Sequence, residues 1–365
     1  MNERALNRKE LDRVFDIFQD VENINYIRFL GNVAPPSVSK RGVNPSFEYI
    51  PVNKPGRTGY QTMRMMIEIP STTRQGANNQ PYKTRIPVFT TDKPAIDVLE
   101  CQREGKLWPY IAGRGRLQNY NVVSDVKYNP DFMHLLYTRI VDQLGFPKEK
   151  VSELARALGM LNGQYEKNFV TLTTIWSNIF MDGSQAVKII ESNGKIPQYN
   201  YVFLQGLVYM PPSIRPMDKE DYILHFKVRV KRTTFPEDQN VPLLFRGDYD
   251  YINVIAFGEK CQEWFGKLKQ GYPVRVVGRI ESSKYRKAKK ISEREKTLIS
   301  EKLGIKRNDQ IVKDISDFFI NNSVPIEFPT FNVWADEVET DIEQIMFGKI
   351  PEQVRKFVDE NSPKK

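Results

Sequence analysis

The chain has 365 residues, room for about two domains that each bury a core. Its formal charge of +9 favours a polyanionic partner over an acidic one. No apolar run approaches membrane-spanning length and the N-terminus is charged from its third residue, so a soluble, cytoplasmic protein without a membrane partner is expected.

Residues 3–20 carry Leu11, Val14, Phe15 and Phe18 at helical spacing, which predicts a short amphipathic helix laid on the first domain, as packing or as a dimer contact. From residue 25 the chain begins something it later repeats. NYIRFLGNVAPPSV (25–38) returns as NYVFLQGLVYMPPSI (200–214), each reading as a first strand that ends in a Pro-Pro turn. IEIPSTT (67–73) returns as VRVKRTT (228–234), Phe89 as Phe257, GRL (115–117) as GRI (278–280), LGF (144–146) as LGI (303–305), and TTIWSNIF (173–180) as FNVWADEV (331–338). Each match is weak alone, but the shared order reads as a tandem duplication.

In the first copy, Arg114 and Arg116 flank Gly115 near the fourth strand, and Tyr120 and Tyr82 are candidate stacking residues. Pro87 inside its third strand and Pro109 near its fourth predict edges or bulges, so this copy reads as the weaker binder or as support for assembly. Helical spacing of Phe132, Leu135, Leu136, Ile140 and Leu144, then of Val151, Leu154, Ala155 and Leu158, predicts a helical insertion over about 129–166. A turn-rich connector follows at 184–198.

In the second copy LHFKVRVK (224–231) sets Leu224, Phe226, Val228 and Val230 on one strand face and His225, Lys227, Arg229 and Lys231 on the other, an electrostatic track or a solvated outer face. DYINVIAFG (250–258) alternates Ile252, Val254 and Ala256 with Tyr251, Asn253, Ile255 and Phe257. In GYPVRVVGRIESSKY (271–285), Arg275, Arg279 and Tyr285 fall on the face opposite Val274, Val276 and Ile280. Aromatic faces that stack bases, beside cations that track phosphates, are what a single-stranded nucleic acid requires. KYRKAKK (284–290), with Lys284, Arg286 and Lys287, reads as a basic arm for phosphates or as one solvated helix face. A second helical insertion is expected over about 286–322, and two short helical pieces follow the last strand, over 341–365.

Tyr251 and Phe257 six apart on a third strand, FGEKCQEWFGKLKQG (257–271), GRIESSKY (278–285) and WADEV (334–338) together resemble the bacterial and phage single-stranded-DNA-binding proteins, which are OB-fold barrels. The resemblance covers roughly 199–340 well and 23–183 faintly. It implies a mainly β chain of two tandem OB-fold barrels, 23–183 and 199–340; the helical segment expected between strands 4 and 5 of each departs from the family, which has a short hairpin there. It also implies stacking roles for Tyr251, Phe257 and Tyr285, with Phe235 in the hairpin between strands 2 and 3 as a fourth. Cross-strand packing is the other role open to such aromatics. The expected function is to coat and protect single-stranded DNA in replication, recombination or repair, in the cytoplasm of a bacterium or phage-infected host cell. RNA stays open as a partner. Four barrels suit wrapping in the family, so two chains would form a homodimer, and replication or recombination proteins are further expected partners. The family ends in an acidic tail, whereas this chain ends in ENSPKK.

The sequence offers little for catalysis. There is no GxxxxGK[ST] loop, and His134 and His225 lack an HExxH context. Asp248 and Asp250 read as loop solubility, and Cys101 and Cys261, each in an expected helix, make neither a disulfide framework nor a zinc site. No enzyme activity, metal or cofactor is expected. Trp176 and Trp334, at equivalent positions of the fifth strands, and Trp264 on a helix read as core or interface packing. Two other functions compete. KVSELARALGM (150–160) resembles the first helix and turn of a helix-turn-helix reaching to about 169, which would make a duplex-DNA regulator, and the barrels alternatively serve as protein-docking modules.

Overall fold

A computed structural model of the chain describes residues 5–34, 37–39, 42–44, 47–50, 62–75, 81–91, 110–125, 127–160, 164–181, 185, 188–189, 191–192, 196, 198–217, 221–232, 248–287, 290–346, 348 and 350–361. The first half runs α1 (Arg8–Ile17), β1 (Ile24–Val33), β2 (Ser37–Ser39), β3 (Gly42–Asn44), β4 (Phe47–Ile50), β5 (Thr62–Gln75), β6 (Pro81–Thr91), β7 (Tyr110–Asp125) and β8 (Lys127–Tyr128). There follow α2 (Phe132–Tyr137), a π-helical stretch at Thr138–Gln143, α3 (Glu149–Met160) and β9 (Gln164–Met181). The second half has β10 (Tyr199–Pro216), β11 (Tyr222–Lys231), β12 (Tyr249–Phe257), α4 (Lys260–Lys267) and β13 (Pro273–Lys287). It ends with α5 (Glu293–Leu303), α6 (Gln310–Asn321), β14 (Ser323–Val324), β15 (Ile326–Glu339), α7 (Ile342–Ile345) and α8 (Glu352–Asn361).

Period-two alternation closes the second half into a ring. β10 pairs with β11, β11 with β12, β12 with β15, β15 with β13, and β13 returns to β10. Numbered from β10, this order is 1-2-3-5-4-1, with the 3–5 contact parallel, as an OB-fold requires. Leu224, Phe226, Val228, Ile252, Val254, Ala256, Val274, Val276 and Val333 are buried, one inward residue in two along each strand. At Gly278 an added Cβ would stand 2.1 Å from the Trp334 carbonyl oxygen, so only glycine lets β13 pass this close to β15.

The first half repeats the order with β1, β5, β6, β9 and β7, and its parallel contact is again between third and fifth strands. Pro87 makes no bulge in the β5–β6 ladder. The β5–β6 register runs unbroken from Thr62↔Thr91 to Pro70↔Lys83, and β6 pairs with β9 at Val88 and Phe89, just past the proline. Pro109 and Cys101 lie outside the described residues.

The halves join through antiparallel pairing of their first strands, β1 and β10, from Ile24↔Gln205 to Leu30↔Tyr199. The duplication is legible in the hydrogen bonds. The Asn25 side chain donates to the Leu117 carbonyl at 2.7 Å and accepts from its N–H at 2.9 Å. Asn200 does the same to Ile280, at 3.3 and 2.5 Å. Each copy thus uses the Asn of its Asn-Tyr pair to clamp the last residue of its Gly-Arg-Leu or Gly-Arg-Ile triplet.

Fourth-strand residues reach across to the other barrel. Glu281, buried on β13, accepts from Ser71 Oγ at 2.8 Å and from Thr84 Oγ1 at 2.5 Å. From β7, Asn119 donates its N–H to Asp250 at 2.9 Å and accepts the Tyr251 N–H through its side chain. Arg232 donates to both the Asn119 carbonyl and the Asp250 carboxylate.

α1 begins at a capping box: Glu10 N–H donates to Asn7 Oδ1 at 3.1 Å and Asn7 N–H to Glu10 Oε2 at 2.8 Å. It lies on the second barrel rather than the first. Leu11, Val14, Phe15 and Phe18 find their apolar partners in Leu207, Tyr209 and Tyr272 of that barrel and in Ile345, Met346, Val354 and Phe357 of the C-terminal helices.

By contact clustering the chain divides into two units, residues 1–120, 169–283 and 331–365 in one and 121–168 with 284–330 in the other. The second unit is helical and draws on both copies. Phe132, Leu136, Ile140, Val151 and Leu154 share one core with Ile299, Leu303, Val312, Ile315 and Phe319. A β8–β14 ladder, Tyr128↔Ser323 and Lys127↔Val324, ties the two segments. α3 is one of these core helices, and from Gln164 the chain is strand β9, so the helix-turn-helix reading has no recognition helix there.

Candidate nucleic-acid interface

The outer faces of β11 and β12 hold the residues that alternation assigned to them. Register sets Lys227 beside Asn253, Arg229 beside Tyr251 and Lys231 beside Tyr249. Tyr251 and Phe257 share this face about 20 Å apart, at about 3.3–3.4 Å per residue.

Arg229 does not point at solvent. Its guanidinium lies 3.9 Å from the Phe15 ring centroid and 3.6 Å from that of Tyr249, a cation held between two aromatic faces. Tyr251 is half-buried, its ring 4.5 Å from that of Tyr209. Burial raises the Tyr251 hydroxyl pKa, with Tyr209 reinforcing and Arg229 opposing. Burial also lowers the Lys227 pKa, whereas Lys231 is exposed. His225 is held below its ordinary value by burial and then by the Arg215 charge.

At the other end Phe257 is 41% exposed and leans on Trp334 with ring centroids 4.6 Å apart. Trp334 is therefore a half-buried outer-face residue and not barrel core. Arg279 lies 6.0 Å from the Trp334 ring and pairs with Asp336 at 2.5 Å and Glu281 at 3.5 Å. An open depression beside Phe257 is lined also by Trp264, Lys260, Asp221, Glu259 and Asp336. Arg275 is turned to structure: it donates to Gln205 Oε1 at 2.8 Å and to the Gln344 and Ile345 carbonyls at 3.3 Å, fastening the C-terminal segment to β13.

Among first-copy candidates, Arg114 is exposed on β7 and paired across the ladder with Arg28, whereas Arg116 is buried, where its charge lowers the Asp250 pKa against the dominant raising effect of burial. Tyr82 is half-buried and donates to the Ser282 carbonyl at 3.4 Å. Phe89 and Tyr120 have strand backbones in β6 and β7, and Lys284, Tyr285, Arg286 and Lys287 in β13; their side chains, that of Trp176 and all of Phe235 lie outside the described residues.

Sequence reasoning missed an aromatic face across the β1–β10 seam. Tyr26, Tyr199 and Tyr201 are 36, 37 and 44% exposed, and the Arg28 guanidinium lies 5.8 Å from the Tyr199 ring. The signal was the repeated Asn-Tyr pair: where the Asn turns inward to clamp, alternation turns the Tyr out.

Fold and face together define an OB-fold barrel protein with a strand face of aromatics and cations. Residues 199–305 match the model of the single-strand binding protein family. The chain is also similar to two solved structures of the single-stranded DNA binding protein from Thermus aquaticus. A deletion mutant is 12% identical with a TM-score of 0.44, covering 88% of this chain and 96% of that one. The wild type is 12% identical with a TM-score of 0.43, covering 88% and 94%. No curated protein matches the chain.

Proposed function

We propose that this chain binds single-stranded DNA and coats it during replication, recombination or repair, as a binding protein and not an enzyme. The observation that carries this reading is the coincidence of the family match at 199–305 with the barrel whose outer face holds Tyr251, Phe257, Lys227 and Lys231. Bases stack on the aromatics while ammonium groups follow the phosphates, a mode that tolerates any sequence. The Phe257 and Trp334 rings extend the stacking face, and Lys284, Tyr285, Arg286 and Lys287 are further candidates for contact with the strand.

The chain acts as a homodimer in the cytoplasm. Support for self-association comes from the exposed Tyr26, Tyr199 and Tyr201 across a seam built from two like strands. Among the described residues no helix is long and apolar enough to cross a membrane.

The test is oligo-dT binding by Tyr251→Ala and Phe257→Ala. Each loses about 1–3 kcal/mol of affinity if its ring stacks on a base. Unchanged affinity in both folded variants would return these rings to packing and remove the site.

A further inference from the structure

The residues on either side of α1 fasten it to the second barrel. The Leu6 N–H donates to Gln270 Oε1 at 2.9 Å, and Gln270 Nε2 donates to the Tyr209 carbonyl at 3.0 Å. At the far end of the helix, Asn23 Oδ1 accepts the Lys231 N–H at 2.8 Å and the Glu22 carbonyl accepts from Gln205 Nε2 at 3.0 Å. Between these anchors the Phe15 ring faces Tyr209 with centroids 6.5 Å apart and closes over Arg229. Tyr209 in turn packs on Tyr251. The helix has thus taken the arginine that register sets beside Tyr251 and enclosed it between rings.

Arg8 lies seven residues before Phe15, two turns along the same helix face, and is exposed. Its charge reaches the Tyr251 hydroxyl, where it opposes the larger effect of burial. Lys9, also exposed, is rotated by about 100° to another face.

We infer that α1 is part of the nucleic-acid site of the second barrel, with Arg8 supplying the phosphate-binding cation beside Tyr251 in place of the enclosed Arg229. The ligand chemistry is the phosphodiester of a single strand whose base stacks on Tyr251, so the inference rests on the proposed function. The helix does two things at once: it rigidifies the Tyr209–Tyr251 ring pair and carries the charge that a strand crossing that pair would meet.

The experiment is fluorescence anisotropy with labelled oligo-dT across a salt series, using the full chain and its Arg8→Ala, Arg8→Lys and Lys9→Ala variants, with folding checked by circular dichroism. One lost phosphate contact lowers the steepness of log K against log salt by about 0.7 for a single strand. Between about 50 and about 200 mM salt, Arg8→Ala would then lose about 2.6-fold less affinity than the parent chain. Arg8→Lys is expected to keep the parent slope, and Lys9→Ala to leave it unchanged. A parent slope in Arg8→Ala, or an equal reduction in Lys9→Ala, would overturn the inference while leaving strand binding intact. Absence of oligo-dT binding by the parent chain would instead overturn the proposed function, and this inference with it.

Discussion

Asp250 lies at the junction between the two halves of the chain, and its replacement tests that junction. Its side chain is fully enclosed, and one carboxylate oxygen accepts from Arg232 at 2.8 Å and from the Asn119 N–H at 2.9 Å. Asp250→Ala leaves the Arg232 guanidinium, 9% exposed, without its anion and the Asn119 N–H without its acceptor. Removing one partner of a buried ion pair costs about 3–5 kcal/mol, a large share of the roughly 5–15 kcal/mol that holds a domain folded. Asp250→Asn also leaves Arg232 without its anion but keeps an oxygen for both donors, so its loss is smaller than that of the alanine variant by about 1–3 kcal/mol, the cost of leaving a buried donor unsatisfied. Burial raises the Asp250 pKa above its ordinary 3.8, so the folded state binds the proton more tightly than the unfolded one. Its contribution to stability is therefore present at low pH and lost as pH rises through the folded value, and Asp250→Asn gains on the parent over that window. Urea unfolding midpoints at pH 7 and across the acid range measure both effects. Equal losses in the two variants, or an alanine variant within 1 kcal/mol of the parent chain at about the precision of such data, would refute the reasoning.

Two further predictions concern His225 and the seam. Burial and Arg215 lower the His225 pKa, so its NMR titration midpoint falls below 6.5 and moves upward in Arg215→Ala. Because the unfolded chain takes up that proton first, stability declines as pH falls through 6.5 toward the folded value, and His225→Asn flattens the decline. Tyr201→Asp puts a charge on the aromatic seam and is expected to convert a dimer of 42.5 kDa chains to monomer in sedimentation equilibrium. A monomeric parent chain, or a dimeric variant, would contradict the self-association reading.

Strand alternation made the second barrel legible: the inward and outward residues of β11 and β12 follow from period two, since one face is buried and a one-residue slip would reverse it, except Asp250, which reads as a soluble loop residue but is buried on β12 against Arg232. What alternation does not encode is who comes to sit on the outward face. Arg229 reads as a phosphate cation until α1 arrives from more than two hundred residues away in sequence and encloses it, and Arg275 until the C-terminal segment offers it carbonyls. The apolar stripe of α1 was plain, but a stripe names no partner, and the second barrel rather than the first supplied Leu207 and Tyr209. Likewise the two helical insertions were visible as periodic segments, yet their merger into one core depends on shape complementarity that periodicity does not carry. Trp334, at the fifth-strand position equivalent to Trp176, reads as core or interface packing, and its contacts with Phe257 and Arg279 place it on the outer face.

The most direct measurement is fluorescence anisotropy of the purified chain with labelled oligo-dT, duplex DNA and an RNA of the same length, each across a salt series. The account predicts tight oligo-dT binding with a steep salt slope and weak duplex binding, the RNA curve then fixing the sugar preference. Preference for the duplex, or no binding to any of the three, would contradict it.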